Sequence, residues 1–173
     1  QRDMDVKVLE LVRLLNARVY PFNFRRVIDL FQARVKQFQS AQEVLDLTDL
    51  SHGIDELGRL LDLFYDKTAD PRALADDRAV AAANEVQRVL GRELIPVNYS
   101  GVDRYYQDTY GSSYMRVALP RIREIERLSQ VKDDSERMLL VTKLVRERNR
   151  LLDTTKRCSR VVRAYLGSGN GWF

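Results

Sequence analysis

Apolar residues recur at spacings of three and four along most of this chain, which is the period of an amphipathic helix and not of a strand. Between Met4 and Arg18 the stripe is Val8, Leu11, Val12 and Leu15, and Pro21 breaks it. Asn23 is placed to cap a second helix whose face carries Phe24, Val27, Ile28, Phe31, Val35 and Phe38. Ser40 and Glu43 have the spacing of a capping box, which predicts a turn near Ser40. An unbroken helix from Asn23 to Tyr65 would span roughly 65 Å and could not fold back on itself. The polar cluster Thr48, Asp49, Ser51 and Gly53 therefore predicts a second break, followed by a helix carrying Leu50, Ile54, Leu57, Leu61 and Phe64.

Asp70 followed by Pro71 predicts a helix start, with a carboxylate at the cap and a proline where a missing amide costs nothing. Gly91 is the predicted stop. Between them Ala79, Ala81, Ala82 and Ala83 would let a neighbouring helix approach closely, and Val86, Val89 and Leu90 add bulk. From Arg92 to Gly111 the periodicity weakens. Pro96, Asn98, Ser100 and Gly101 predict a connection leading into the tyrosines Tyr99, Tyr105, Tyr106, Tyr110 and Tyr114, with a short helix from near Asp103. Val117, Ile122, Ile125 and Leu128 mark another helix, which Pro120 starts or kinks. Asp133 and Glu136 repeat the capping spacing. They open a last helix of roughly 50 Å that meets no breaker before Gly167.

These elements predict an all-α fold, an antiparallel bundle of about five to six helices with a long C-terminal helix. Residues 1–166 form one helical-bundle domain, and 167–173 a short flexible tail of Gly, Ser and Asn ending in Trp172 and Phe173. Composition supports this: the chain has 173 residues, 45% of them hydrophobic, with only 8 Gly and 4 Pro, so it can bury a core and is poor in turn formers. The net charge of +4, from 29 basic and 25 acidic residues, falls short of what a dedicated nucleic-acid binder carries. One cysteine, Cys158, excludes an internal disulfide framework, and one histidine, His52, excludes zinc sites built from several Cys and His. No run reaches the roughly 18 apolar residues that a membrane-spanning helix needs. A first residue of Gln1 raises the expectation of an organelle reached after removal of a targeting segment, with the cytoplasm as the alternative.

Along the last helix, Leu144, Leu151, Cys158 and Tyr165 recur every seven residues with Val141 and Val162 beside them. Arg148 and Thr155 interrupt this seam, which favours packing into the protein's own bundle over a strict two-stranded coil. On the opposite side Lys143, Arg146, Arg150, Arg157 and Arg160 form a basic stripe, with Lys156 and Arg163 at its edge. The stripe is either a solvated face that complements the helix dipole or a site for a phosphate backbone or anionic head groups. Tyr105, Tyr106 and Tyr110 either pin a loop to the bundle or present a recognition surface. Trp172 and Phe173 would expose two large rings on a free monomer, so they dock back, enter a partner or stay disordered.

Chemistry-bearing patterns are sparse. His52 beside Ser51, Asp49 and Asp55 is one helical turn of neighbours and not a triad assembled from distant segments. Cys158 at a seam position reads as a small buried hydrophobe. Gly167–Gly171 lacks the lysine and following helix of a phosphate cradle, and there is no nucleophile elbow and no dinucleotide fingerprint. The acidic pairs Asp76–Asp77 and Asp133–Asp134 suit helix starts. The expectation is thus a non-enzymatic accessory or adaptor subunit without cofactor or metal. It would dock on other protein subunits of a larger assembly, an organellar membrane complex being one setting. Tyr105, Tyr106, Tyr110, Trp172 and Phe173 are its candidate contacts. The alternative is a nucleic-acid or anionic-surface binding module that uses the basic stripe.

Overall fold

The computed structural model describes residues 2–38, 44–100, 119 and 121–167. Among them are five α-helices and a 3-10 helix, with no strand: α1 (Arg2–Asn16), α2 (Arg25–Gln37), α3 (Thr48–Ala69), α4 (Asp77–Tyr99), the 3-10 helix (Ile122–Arg127) and α5 (Asp134–Gly167). The all-α bundle with a long C-terminal helix is therefore what the chain forms.

Local chemistry sets most boundaries. Asn23 Oδ1 accepts from Arg25 N at 3.1 Å at the start of α2, and Asp46 Oδ1 accepts from Thr48 N at 2.9 Å at the start of α3. Asp133 Oδ1 accepts from Glu136 N at 2.7 Å, so the expected cap opens α5, whose 34 residues run unbroken to Gly167. The expected start at Asp70 is displaced. Asp70 Oδ1 accepts from Arg72 N and holds a turn with Pro71, and α4 begins later, where Asp76 Oδ1 accepts from Ala79 N at 2.7 Å. Gly91 does not stop α4, which continues through Pro96 to Tyr99. The Phe24 ring packs over Gly91, where an added Cβ would stand 3.4 Å from Phe24 Cζ, an ordinary contact distance. Pro96 lies near the end of α4 without stopping it, and Ser100 N still donates to Pro96 O at 3.0 Å. Ile122 and Ile125 are buried on a 3-10 helix where a longer α-helix was expected. The predicted turn near Ser40 and the stretch 101–118 lie outside the described residues.

The directions of α2 to α5 follow from their cross-links. Arg25–Asp62 (3.0 Å) and Gln32–Asp55 (2.8 Å) bonds tie α2 antiparallel to α3, and Arg157–Glu93 (2.8 Å) ties α5 antiparallel to α4. The central pair, α3 with α5, runs parallel. Arg148 donates to the Asp46 carbonyl, Gly53 faces Thr155, and Phe64 meets Tyr165 edge-on at 5.2 Å. Leu144, Leu151, Cys158, Val162 and Tyr165 are all buried along this line, so the C-terminal seam is covered by the chain's own core. Thr155 is buried as well, its hydroxyl donating to Leu152 O at 2.8 Å. The 3-10 helix is anchored to α5 through an ion pair between Arg121 and Glu147 at 2.5 Å, with side chains only 15% and 10% exposed.

Candidate docking surface

The expectation that every apolar face is covered by another fails at α1. Its spacing makes it amphipathic, yet each residue from 4 to 16 is exposed, and Met4, Val8, Leu11 and Leu15 line one uncovered stripe, with Leu15 at 76% exposure. At 100° per residue these four fall within one narrow arc, flanked by Leu14 and Val12, while Glu10 and Arg13 point away from it, with the exposed Val6 and Leu9 beside Arg13 on the far side. An exposed apolar face of this kind is a candidate contact site.

The segment that follows α1 carries exposed rings of its own. Tyr20 and Phe22 are about half exposed and their rings stand 5.9 Å apart, Phe22 lies 6.1 Å from the buried Phe24, and exposed Ile95 flanks the Gly91 position that Phe24 covers. The segment carrying these rings is bound closely to the body. The Asn84 carboxamide bridges two of its backbone groups, donating to Arg18 O and accepting from Tyr20 N, both at 2.8 Å. Gln87 donates to Tyr20 O at 2.7 Å. The Tyr65 hydroxyl donates to Phe22 O at 3.0 Å and accepts from Phe24 N at 2.8 Å, and burial raises its pKa above the ordinary tyrosine value.

A second concavity, about 430 Å³, lies where the end of α2 meets the 3-10 helix and the start of α5; Gln37, Phe38, Val44, Ile125, Leu128 and Arg137 line most of it. Among its described lining residues the one carboxylate, Glu126, is taken up by Arg34 at 3.1 Å and Arg123 at 3.4 Å. The groups with displaced titration, Asp46, Tyr65, Cys158 and Tyr165, are not among its lining residues. His52 is exposed on α3. Cys158 is buried, and burial first, then the charge of Glu93, pushes its thiol up to about 12. Among the described residues no group of three or more His, Cys, Asp or Glu is placed to hold a metal ion. No described helix is long and apolar enough to cross a membrane.

The basic stripe is partly neutralised from neighbouring elements. Lys143 pairs with Glu124 at 2.7 Å, Arg150 with Glu147 at 3.6 Å and Arg157 with Glu93, while Arg163 at the edge pairs with Glu56. Arg146 and Arg160 are exposed without a carboxylate partner among the described residues. Five of the expected contacts, Tyr105, Tyr106, Tyr110, Trp172 and Phe173, lie outside the described residues.

Sequence reasoning took the α1 stripe for one more wall of the bundle. The stripe itself was legible, but a periodic face does not say what covers it. Asn84, Gln87 and Tyr65 were passed over because their partners are backbone groups more than 40 residues away in sequence. No protein-family model matches the chain, and no curated protein or solved structure gives a match.

Proposed function

We propose that this chain is a non-enzymatic accessory or adaptor subunit that docks on a larger protein assembly, with α1 as the element that enters the partner. The supporting observation is the uncovered stripe Met4, Val8, Leu11 and Leu15. Anchors at i, i+4, i+7 and i+11 suit an apolar groove on another protein. A lipid surface is the poorer occupant, because surface-lying helices carry a basic polar face and α1 has three basic residues (Arg2, Lys7, Arg13) against three acidic ones (Asp3, Asp5, Glu10). Tyr20 and Phe22, in the segment that follows α1, are exposed as well.

The test uses the full-length chain in its native source, with a photo-crosslinking residue at position 8 on the stripe or at position 13 on the polar face. Position 8 is expected to join one defined protein that position 13 does not. Val8→Asp with Leu11→Asp is expected to lose that protein on co-purification while far-UV circular dichroism keeps the helical signal. Equal labelling from both positions, or a partner retained by the double variant, would remove α1 as the anchor.

A second reading rests on Arg146 and Arg160, the stripe residues left unneutralised, and takes phosphate polymers or anionic vesicles as partner. Arg146→Glu with Arg160→Glu would then abolish a salt-sensitive interaction. Absence of any such binding by the unaltered chain counts against this reading.

A further inference from the structure

We infer that α1 is a pre-oriented arm, held at a set angle to the body by a clamp of Asn84, Gln87 and Tyr65 before any partner arrives. The inference rests on the docking reading of α1 and adds how its presentation is controlled.

The clamp acts on the connector between α1 and α2. Five of its backbone groups are engaged by side chains of two other helices: Arg18 O and Tyr20 N by Asn84, Tyr20 O by Gln87, and Phe22 O and Phe24 N by Tyr65. Tyr65 belongs to α3, and Asn84 and Gln87 belong to α4, so the strap crosses from one helix to another. Pro21, between the held groups, has no amide to satisfy and a fixed φ, which removes further freedom. Arg18 adds a 2.9 Å ion pair to Asp77 and a bond to Leu74 O, and Val19 packs against the core. On the other side, Asn16 Nδ2 turns back to Val12 O at 2.7 Å and closes the last turn of α1. Only Ala17 separates the end of the helix from the first held residue.

Solvation alone does not demand this arrangement. The bonds from Asn84 and the one to Phe22 O are at exposed positions, where water would serve the same backbone groups. Gln87, 2% exposed, is a polar side chain placed inside the bundle, and its amide nitrogen reaches out to the strap. What the bonds supply beyond solvation is a fixed exit direction. A helix presented at a fixed angle loses less freedom on docking, which strengthens binding without any new contact.

The test reads orientation directly. Spin labels are placed on the full-length chain through Arg13→Cys, on the polar side of α1, and Asp153→Cys, on the exposed side of α5; Cys158 is buried and stays unlabelled. Distances are measured by pulsed electron–electron resonance on dilute protein without partner. The clamped chain is expected to give one narrow distance peak. Asn84→Ala with Gln87→Ala is expected to lose it to a broad distribution, with the circular dichroism of the body unchanged. Because Gln87 is buried and that variant can lose stability, Tyr65→Phe, which removes one hydroxyl and keeps the ring, is measured beside it and is expected to broaden the peak as well. A broad distribution in the unaltered chain overturns the inference, and so do variants as narrow as the parent. This outcome is separable from the docking reading. A flexible α1 that still crosslinks through position 8 sinks the clamp alone, whereas a narrow peak in a chain that crosslinks nothing sinks the docking role alone.

Discussion

Cys158 lies where α5 faces the core, and its thiol is held protonated well past its ordinary range, chiefly by burial and secondarily by Glu93, with Arg157 pulling the other way. The linked effect on stability has a definite sign. In the unfolded chain the thiol ionises at its ordinary value of 9.0, and in the folded chain only at about 12. Between those values the unfolded state binds fewer protons, so this contribution is full below pH 9 and is lost as pH rises toward 12, with a slope approaching about 1.4 kcal/mol per pH unit. Tyr65 and Tyr165, both raised by burial, add to the same alkaline loss above pH 10. Urea unfolding at pH 8, 9 and 10 should therefore show the unaltered chain losing stability faster than Cys158→Ala, so that the gap between them narrows. Parallel curves would mean that the thiol does not ionise on unfolding. At this scale the sequence is partly readable. A cysteine on a seven-residue seam announces its own burial. Asn84 and Gln87 announce nothing, because a carboxamide in a helix carries no mark of the distant carbonyl it will meet.

Gly53 of α3 faces α5 and Gly58 of α3 faces α2, and the two glycines differ in the room each has. A Cβ at Gly53 would stand 3.0 Å from Thr155 Oγ1 and 3.3 Å from Leu152 Cδ1. Thr155 is buried and its hydroxyl is committed to Leu152 O, so it has nowhere to turn. A Cβ at Gly58 would stand 3.4 Å from the guanidinium of Arg25, the far end of a flexible side chain. Alanine gains about 1 kcal/mol over glycine inside a helix, while overpacking a core costs about 1–3 kcal/mol. Gly53→Ala is therefore expected to lower stability and Gly58→Ala to raise it by up to about 1 kcal/mol, read as opposite shifts in thermal midpoint. If both shift upward, Thr155 has room that the packing denies it. Gly58 lies inside a strongly periodic stretch, whereas Gly53 belongs to the polar cluster from Thr48 expected to break the chain, which instead forms the first turns of α3; otherwise α2, α3 and α5 were legible in outline from the period and from Asn23, Asp133 and Glu136. The limits of α4 were not. Asp70–Pro71 and Gly91 carry the local chemistry of a start and a stop, but the cap forms at Asp76 and the helix runs on past Gly91 to Tyr99. Two caps of the same chemistry six residues apart look alike in a local pattern.

In the whole molecule the apolar stripes divide into those that meet each other and one that does not. Stripes on α2 to α5 close a single core, while that of α1 faces solvent, and periodicity reads the same in both cases. The difference is energetic and can be measured. A buried leucine replaced by alanine costs about 2–5 kcal/mol, and an exposed one rarely more than about 0.5 kcal/mol. Leu144→Ala should accordingly destabilise the chain heavily, and Leu11→Ala should leave the unfolding free energy nearly unchanged. An isolated helix of α1's length, 15 residues, is marginal in water because nucleation is costly and nothing packs against it. Its anchored end is held near Asn16, so fraying should run from the other end. Hydrogen exchange on the free full-length chain is expected to show near-intrinsic rates at the start of α1, rising protection toward Asn16, and the strongest protection in α3 and α5. A partner seated on the stripe would bring Val8 and Leu11 into the protected class while leaving α3 and α5 as they were. If the free chain already protects the whole of α1, a surface is covering it without the partner, and the docking role passes to another face of the molecule.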